Sequence, residues 1–264
     1  MTLLTADRAG KFRKKESPAP SDGGTLTSNA GKRRRRRQLV RVNEITQILR
    51  RGANDTWNLG LTDAQIDQFV RYADMLVEWN AARMNLTRIV SPQDIAVKHF
   101  LDSLALLTVQ TPPANAQVLD VGTGAGLPGL ALKIARPDLR VTLMDGTAKK
   151  LTFCRAVADD LGLENVEVVH ARAEETAKRP ELAGRFDWVT ARAVAPLDKL
   201  LPWLAPFAAP GGLLLSLKGI AADEELAAAR PVAKRLGFTL DTVSVPLPEA
   251  GEEIVRQIVI ARRG

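Results

Sequence analysis

The densest run of chemistry-bearing residues in this 264-residue chain is Val118-Leu119-Asp120-Val121-Gly122-Thr123-Gly124-Ala125-Gly126-Leu127-Pro128-Gly129. An apolar strand-like segment runs into a glycine-rich turn and then into a helix. Missing side chains let a ligand lie against the backbone, and the unpaired N–H groups at the helix start face it. Gly122, Gly124 and Gly126 are therefore candidates to contact a nucleotide-like ligand. Asp145 ends the next strand-like segment, 23 residues after Gly122, where a carboxylate can accept from ribose hydroxyls.

Two ligand families share this arrangement. Gly124, Gly126 and Gly129 spell G-x-G-x-x-G, the dinucleotide fingerprint, which allows a nicotinamide-dependent oxidoreductase. Three features favour S-adenosylmethionine (SAM) instead. Asp120 sets a carboxylate just before the glycines, where a cationic amino-acid ligand is better served than a pyrophosphate. The chain closes on a strand pair and not on a further βα unit, and the later motifs agree.

Ala171-Arg172-Ala173-Glu174-Glu175 follows the third strand-like segment. A backbone N–H and a carboxylate there could hold an adenine edge; taken alone, the stretch reads as an exposed helix start whose acids suit the helix dipole. Thr190-Ala191-Arg192-Ala193-Val194-Ala195-Pro196 ends the fourth, where open α/β sheets place their ligands. Arg192 there can touch a cofactor or hold an RNA phosphate or a guanine bidentately. Residues 190–196 lack the Asn/Asp-Pro-Pro-aromatic string common in amino-group methylation of adenine or cytosine. Cys154, between Phe153 and Arg155 in mid-helix, reads as a structural thiol, not the nucleophile that cytosine C5 methylation needs. Guanine N7 carries an in-plane lone pair and no proton, so its methylation asks only for alignment and tolerance of charge.

These residues need a scaffold. Residues 43 to about 110 carry a helical pattern. Thr62 and Asp63 are plausible caps, Ile66, Phe69, Val70, Ala73, Leu76 and Val77 form one face, and Ser91-Pro92 opens another helix. Beyond Thr111-Pro112-Pro113, strands are predicted at 117–121, 140–145, 165–170, 186–191 and 212–218. Helices are predicted near 127–136, 147–162, 174–183, 197–205 and 222–236. Phe238–Val245 and Ile254–Ala261 suit an antiparallel hairpin. This is the plan of a class I SAM-dependent methyltransferase: an α/β, Rossmann-like, mostly parallel sheet with a terminal antiparallel hairpin. The organisation expected is a disordered basic tail at 1–41, a helical cap at 42–111 and a SAM-binding methyltransferase domain at 112–264.

The net charge of +7 is unevenly placed. Residues 1–41 hold 12 Lys and Arg against 3 Asp and Glu, so the remaining 223 residues sum to −2. Any RNA surface on the body must then be local. The run Lys32 to Arg37 can hold phosphates electrostatically, but a solvated tail or an over-extended start is the preferred reading. No apolar run reaches bilayer length and no secretory h-region is present. The single cysteine suits a reducing cytoplasm, where the chain is expected to act as a monomer, without a metal.

Taken together, the sequence resembles the RsmG (GidB) family of bacterial small-subunit ribosomal RNA guanine-N7 methyltransferases over about residues 60–262. The resemblance is carried by Trp79-Asn80 with Asn85-Leu86-Thr87, Lys98-His99-Phe100-Leu101-Asp102-Ser103-Leu104, Asp120 through Gly129, Asp145, Arg172 through Glu175, Thr190 with Arg192-Ala193, and Leu217-Lys218-Gly219. It implies SAM contacts at Gly122, Leu127, Ala173, Glu174 and Arg192, with Asp145 near the ribose. It also implies a guanine of 16S ribosomal RNA, in the decoding region of the small subunit, as substrate. Arg192 is the candidate catalytic residue, and Lys98 and Lys218 join it as candidates for an RNA-facing patch. His99 and Asp102, three residues apart on a helix, are read as a polar network joining cap to domain. Trp57, Trp79, Trp188 and Trp203 are read as packing residues. The sequence departs from the family in its basic tail and at Met84, where an aromatic is usual. A non-catalytic ribosome-assembly factor on the same fold is the remaining alternative.

Overall fold

The computed structural model describes residues 41–82, 85–176, 180–219, 222–248 and 254–263. The expected disordered tail up to residue 40, and Met84, lie outside the described residues.

Helix α1 (residues 41–49) widens into a π-helical turn, Arg50–Thr56, before α2 (Asp63–Ala81). Thr62 starts α2 with a capping box: its hydroxyl accepts from Gln65 N, and the Gln65 side chain accepts from Thr62 N at 2.8 Å. Ile66, Phe69, Val70, Ala73 and Leu76 are buried, as their spacing predicts, and Tyr72 joins them. Ser91 caps α3 (Pro92–Ile95), with Pro92 in the first turn. A second π-helical stretch, Ala96–Leu101, leads into α4 (Asp102–Val109) and carries Lys98 and His99.

Among the described residues seven strands follow in one sheet: β1 (Gln117–Val121), β2 (Arg140–Asp145), β3 (Val166–His170), β4 (Phe186–Arg192), β5 (Ala208–Lys218), β6 (Phe238–Pro246) and β7 (Val255–Arg263). Their order is β3-β2-β1-β4-β5-β7-β6. The first five are parallel, while β7 runs antiparallel between β5 and β6. The last two strands thus pair as a hairpin, but the later one occupies the inner position.

Both faces of the sheet are covered, and alternate residues serve opposite sides. Val118, Val141, Trp188, Leu215 and Ile260 pack with α1, α2, α4, α5 (Gly129–Ala135) and α6 (Ala148–Asp160) in one core. Leu119, Met144, Val189, Leu214 and Val259 pack with α8 (Leu197–Leu204) and α9 (Ala222–Arg235) in another. The N-terminal helices therefore share a continuous core with one sheet face; each fully buried Phe or Leu there contributes about 1.5–3 kcal/mol. The helix predicted over 174–183 is shorter among the described residues. Only Ala173–Thr176 (α7) is helical, and a turn occupies 180–184, since the acids at 174 and 175 suit a helix start while Pro180 and Gly184 oppose continuation. Trp188 is buried and Trp57, Trp79 and Trp203 are partly buried against the cores, in keeping with packing roles.

Candidate active site

The site is assembled where the parallel strands end. After β1 the chain stays bonded to β2, with Gly122 N and Thr123 N both donating to Met144 O at 2.8 and 3.0 Å. Gly122 then takes φ +68°, open to glycine at no steric cost, and a Cβ there would lie 2.6 Å from Val194 Cγ2. Gly126, at φ +87°, is pressed from behind: a Cβ would collide with Leu130 and stand 2.8 Å from Tyr72 Oη. Tyr72 reaches up from α2 to donate to Ala125 O, and Cys154 Sγ lies 3.6 Å from Gly124 O. Burial pushes the Cys154 thiol far up, which suits a structural thiol. The outer face of Gly124 is open, with nothing closer to a Cβ position than Gly122 O at 3.9 Å.

Two carboxylates hold this turn. Asp120 is fully buried; its Oδ2 accepts from Thr123 Oγ1 at 2.6 Å and Gly129 N at 2.8 Å, and its Oδ1 from Thr190 Oγ1 at 3.3 Å. Loss of water raises its pKa to about 6, against the pull of those hydrogen bonds. Asp145, 7 % exposed, accepts from Gly124 N at 3.0 Å and Thr147 N at 2.8 Å. A carboxylate has about four acceptor positions, so Asp145 retains capacity for ribose hydroxyls.

Two adjoining hollows open along the turn. The larger, about 630 Å³, is walled by Thr87 from the α2–α3 loop, by His99 and Asp102 from the helices, by Gly122 to Ala125 and Leu127, and by Arg192, Lys218 and Arg256 from the sheet. The smaller, about 340 Å³, is walled by Asp145, Gly146, Ala171, Ala173, Glu174 and Trp203. Gly122 and Val194 border both. Ala193, between Arg192 and Val194, sits at φ +55°, a strained position for a residue with a side chain, and this turn lays Val194 against Gly122. Both volumes lie in the range of small-molecule sites. The fit to SAM is good in kind: an open glycine backbone, a carboxylate at the β2 end, and a second lobe of adenosine size.

The fold brings most of the expected site residues together. Lys98, Gly122, Gly124, Leu127, Arg192 and Lys218 line the larger hollow, and Gly122, Asp145, Ala173 and Glu174 the smaller. Asp120 and Gly126 line neither hollow. Asp120 is sealed beneath the turn by its three hydrogen bonds, and Gly126 by Tyr72 and Leu130, so both shape the turn from behind. The His99 and Asp102 side chains do not pair with each other. His99 Nε2 meets Thr87 Oγ1 at 3.0 Å, and burial lowers its pKa to about 4, so it is neutral at pH 7. Asp102 accepts from Arg192 Nη1 at 3.1 Å and from Arg256 Nε. Arg256 is not among the residues the sequence singles out, although a cation inside the largely apolar strand 254–261 is its signal. Lys98 is paired with Asp94, and Lys218 with Glu225, each at 2.7 Å.

A mostly parallel seven-stranded sheet with an inner antiparallel last strand, and a glycine turn after β1, defines the class I methyltransferase fold. The YcgJ protein from Bacillus subtilis is similar in fold, with a TM-score of 0.50 and 17% identity over 62% of this chain and 99% of that one. Residues 65–250 match the family described as GidB, rRNA small subunit methyltransferase G. Ribosomal RNA small subunit methyltransferase G of Alkaliphilus oremlandii is 38% identical over 221 residues, covering 83% of this chain and 91% of that protein. Its namesake in Desulfitobacterium hafniense is 42% identical over 202 residues, covering 76% and 83%. The chain belongs to the rRNA small subunit methyltransferase G family. The oxidoreductase reading of G-x-G-x-x-G falls with that membership and with the antiparallel β7.

Proposed function

We propose that this protein transfers a methyl group from SAM to N7 of a guanine in 16S ribosomal RNA. The observation that carries the choice of N7 is the state of the ionisable groups around the larger hollow. Asp102 is engaged by two arginines, Glu225 by Lys218, and His99 is neutral and paired with Thr87. A site with its carboxylates engaged suits an acceptor nitrogen that has no proton to lose. When bound, SAM supplies an electrophilic methyl on a sulfonium centre. In this reading Asp145, Ala173 and Glu174 hold its adenosine end in the smaller lobe. Gly122, Gly124 and Leu127 border its amino-acid end, and Arg192 stands beside the reacting atoms. Asp120 and Gly126 keep the turn in shape, and Lys98 and Lys218 flank the RNA. Helices from 42–111 form one wall of the site, and the domain from 112 supplies the rest. This reading puts the protein with ribosomal subunits in the cytoplasm and takes it to act as a monomer.

The test is transfer of radiolabelled methyl from SAM to assembled small subunits, free ribosomal RNA and DNA, followed by nucleoside analysis. Label recovered as 7-methylguanosine from ribosomal RNA is the expected result. Label in another nucleoside, or in none, overturns the reading.

A further inference from the structure

Four cations border the larger hollow, and they are not balanced alike. Lys98 is matched by Asp94 and Lys218 by Glu225, one carboxylate each. Arg192 and Arg256 share a single carboxylate, Asp102, which is 2 % exposed. Each carboxylate oxygen takes a different arginine: Oδ2 accepts from Arg192 Nη1 and Oδ1 from Arg256 Nε. Lys98 O gives Arg192 Nη1 a second anchor at 3.1 Å. The three side chains come from α4, the end of β4 and β7, so the cluster exists only in the folded chain.

A buried carboxylate needs one guanidinium for charge balance. Two leave a surplus of one positive charge on the wall of an open hollow, a costly arrangement unless an anion completes it. Arg256 is held through Nε, so among the described residues its two terminal nitrogens are left for a ligand, and a planar fork of this kind matches phosphate oxygens. The surplus of one charge equals the charge on one phosphodiester. The body of the chain sums to −2 beyond residue 41, so the surplus is local and not part of a general basic field.

We propose that Arg192 and Arg256, fixed side by side by Asp102, form a subsite for one phosphodiester of the RNA, with Asp102 as the positioning residue. This rests on the RNA methyl-transfer reading above. Arg256 carries the test, because Arg192 also stands beside the reacting atoms.

The experiment is methyl transfer to assembled small subunits over a range of salt concentrations, with SAM affinity by calorimetry and melting temperature for every variant. Arg256→Ala is expected to raise KM for the subunit about tenfold, with a smaller fall in kcat and unchanged SAM affinity. The slope of log affinity against log salt should shrink by about 0.7–1, the share of one phosphate contact. Arg256→Lys, which keeps charge and loses the fork, should fall between. Asp102→Asn separates positioning from charge. It adds a positive charge, so charge alone would tighten RNA binding, whereas lost positioning weakens it; weakening is expected. Should Asp102→Asn fail to fold, Arg256→Ala decides alone. An unchanged KM and salt slope in Arg256→Ala, or tighter RNA binding in a folded Asp102→Asn protein, overturns the subsite. Absence of methyl transfer by the unmodified protein would instead overturn the proposed function itself.

Discussion

Burial acts on Asp120 and His99 with opposite sign. It raises the Asp120 pKa from 3.8 to about 6 and lowers that of His99 from 6.5 to about 4. The folded chain therefore keeps a proton on Asp120 that the unfolded chain has released. That stability is full below pH 3.8 and is lost as pH rises through 6. At His99 the folded chain lacks a proton that the unfolded chain holds. That stability is present above pH 6.5 and is lost as pH falls through 4. Each effect is about 3 kcal/mol, so the two nearly cancel over their shared window. Thermal melts between pH 4 and 6 should be almost flat for the unmodified protein. His99→Gln should lose stability with rising pH and Asp120→Asn should gain it; slopes of the same sign in both variants would refute this account. Arg192 is tied to Asp102 and Lys98 O and lines the hollow, and in the proposed reaction it stands beside the reacting atoms. Arg192→Ala should cut kcat by roughly 100-fold or more, as loss of a preorganised charge at a reacting centre does. Turnover at the unmodified rate would remove Arg192 from the active site.

At the scale of elements, the glycine turn and the Arg192–Val194 turn fit each other. Gly122→Ala faces two obstacles: a left-handed backbone and Val194 Cγ2 in the way. It should weaken SAM binding at least tenfold, and Val194→Ala in the same chain should recover only part, because the backbone strain of about 1–2 kcal/mol stays. Full recovery, measured by calorimetry, would mean that the side-chain clash was the whole effect. Much of this was legible in sequence. The strands β1, β2 and β4 are short apolar runs covered on both faces, and the glycine turn declares itself through residue types that no core needs. Among the described residues the helix predicted near 174–183 stops short, because its start signal is strong and local while the turn at 180–184 depends on Pro180 and Gly184 in context. The position of Asp120 in the motif does not reveal which way its carboxylate turns; in the fold it accepts from Thr123, Gly129 and Thr190. The Asp102–Arg256 pair spans 154 residues, and no local pattern links such positions.

For the whole molecule, charge is segregated between the basic N-terminal stretch and a body that sums to −2. The cations of the site are supplied by the body, so removing residues 1–40, which spares Arg41 and its pair with Asp74, should leave methyl transfer to assembled subunits within about twofold at physiological salt, where long-range charge is screened. A loss of activity well beyond that would give the tail a part in recognition. The order of the sheet has a consequence in time. β7 lies between β5 and β6 and pairs with both, so neither of those neighbours can find its final partner until residues 255–263 have left the ribosome. Through β5, synthesis proceeds strand by strand with each partner already present or soon to come, whereas β6 must wait beside an open gap. Arg256 arrives with that closing strand. A nascent chain can therefore shape its glycine turn early, yet it gains the second guanidinium of its charged wall only when its sheet is sealed.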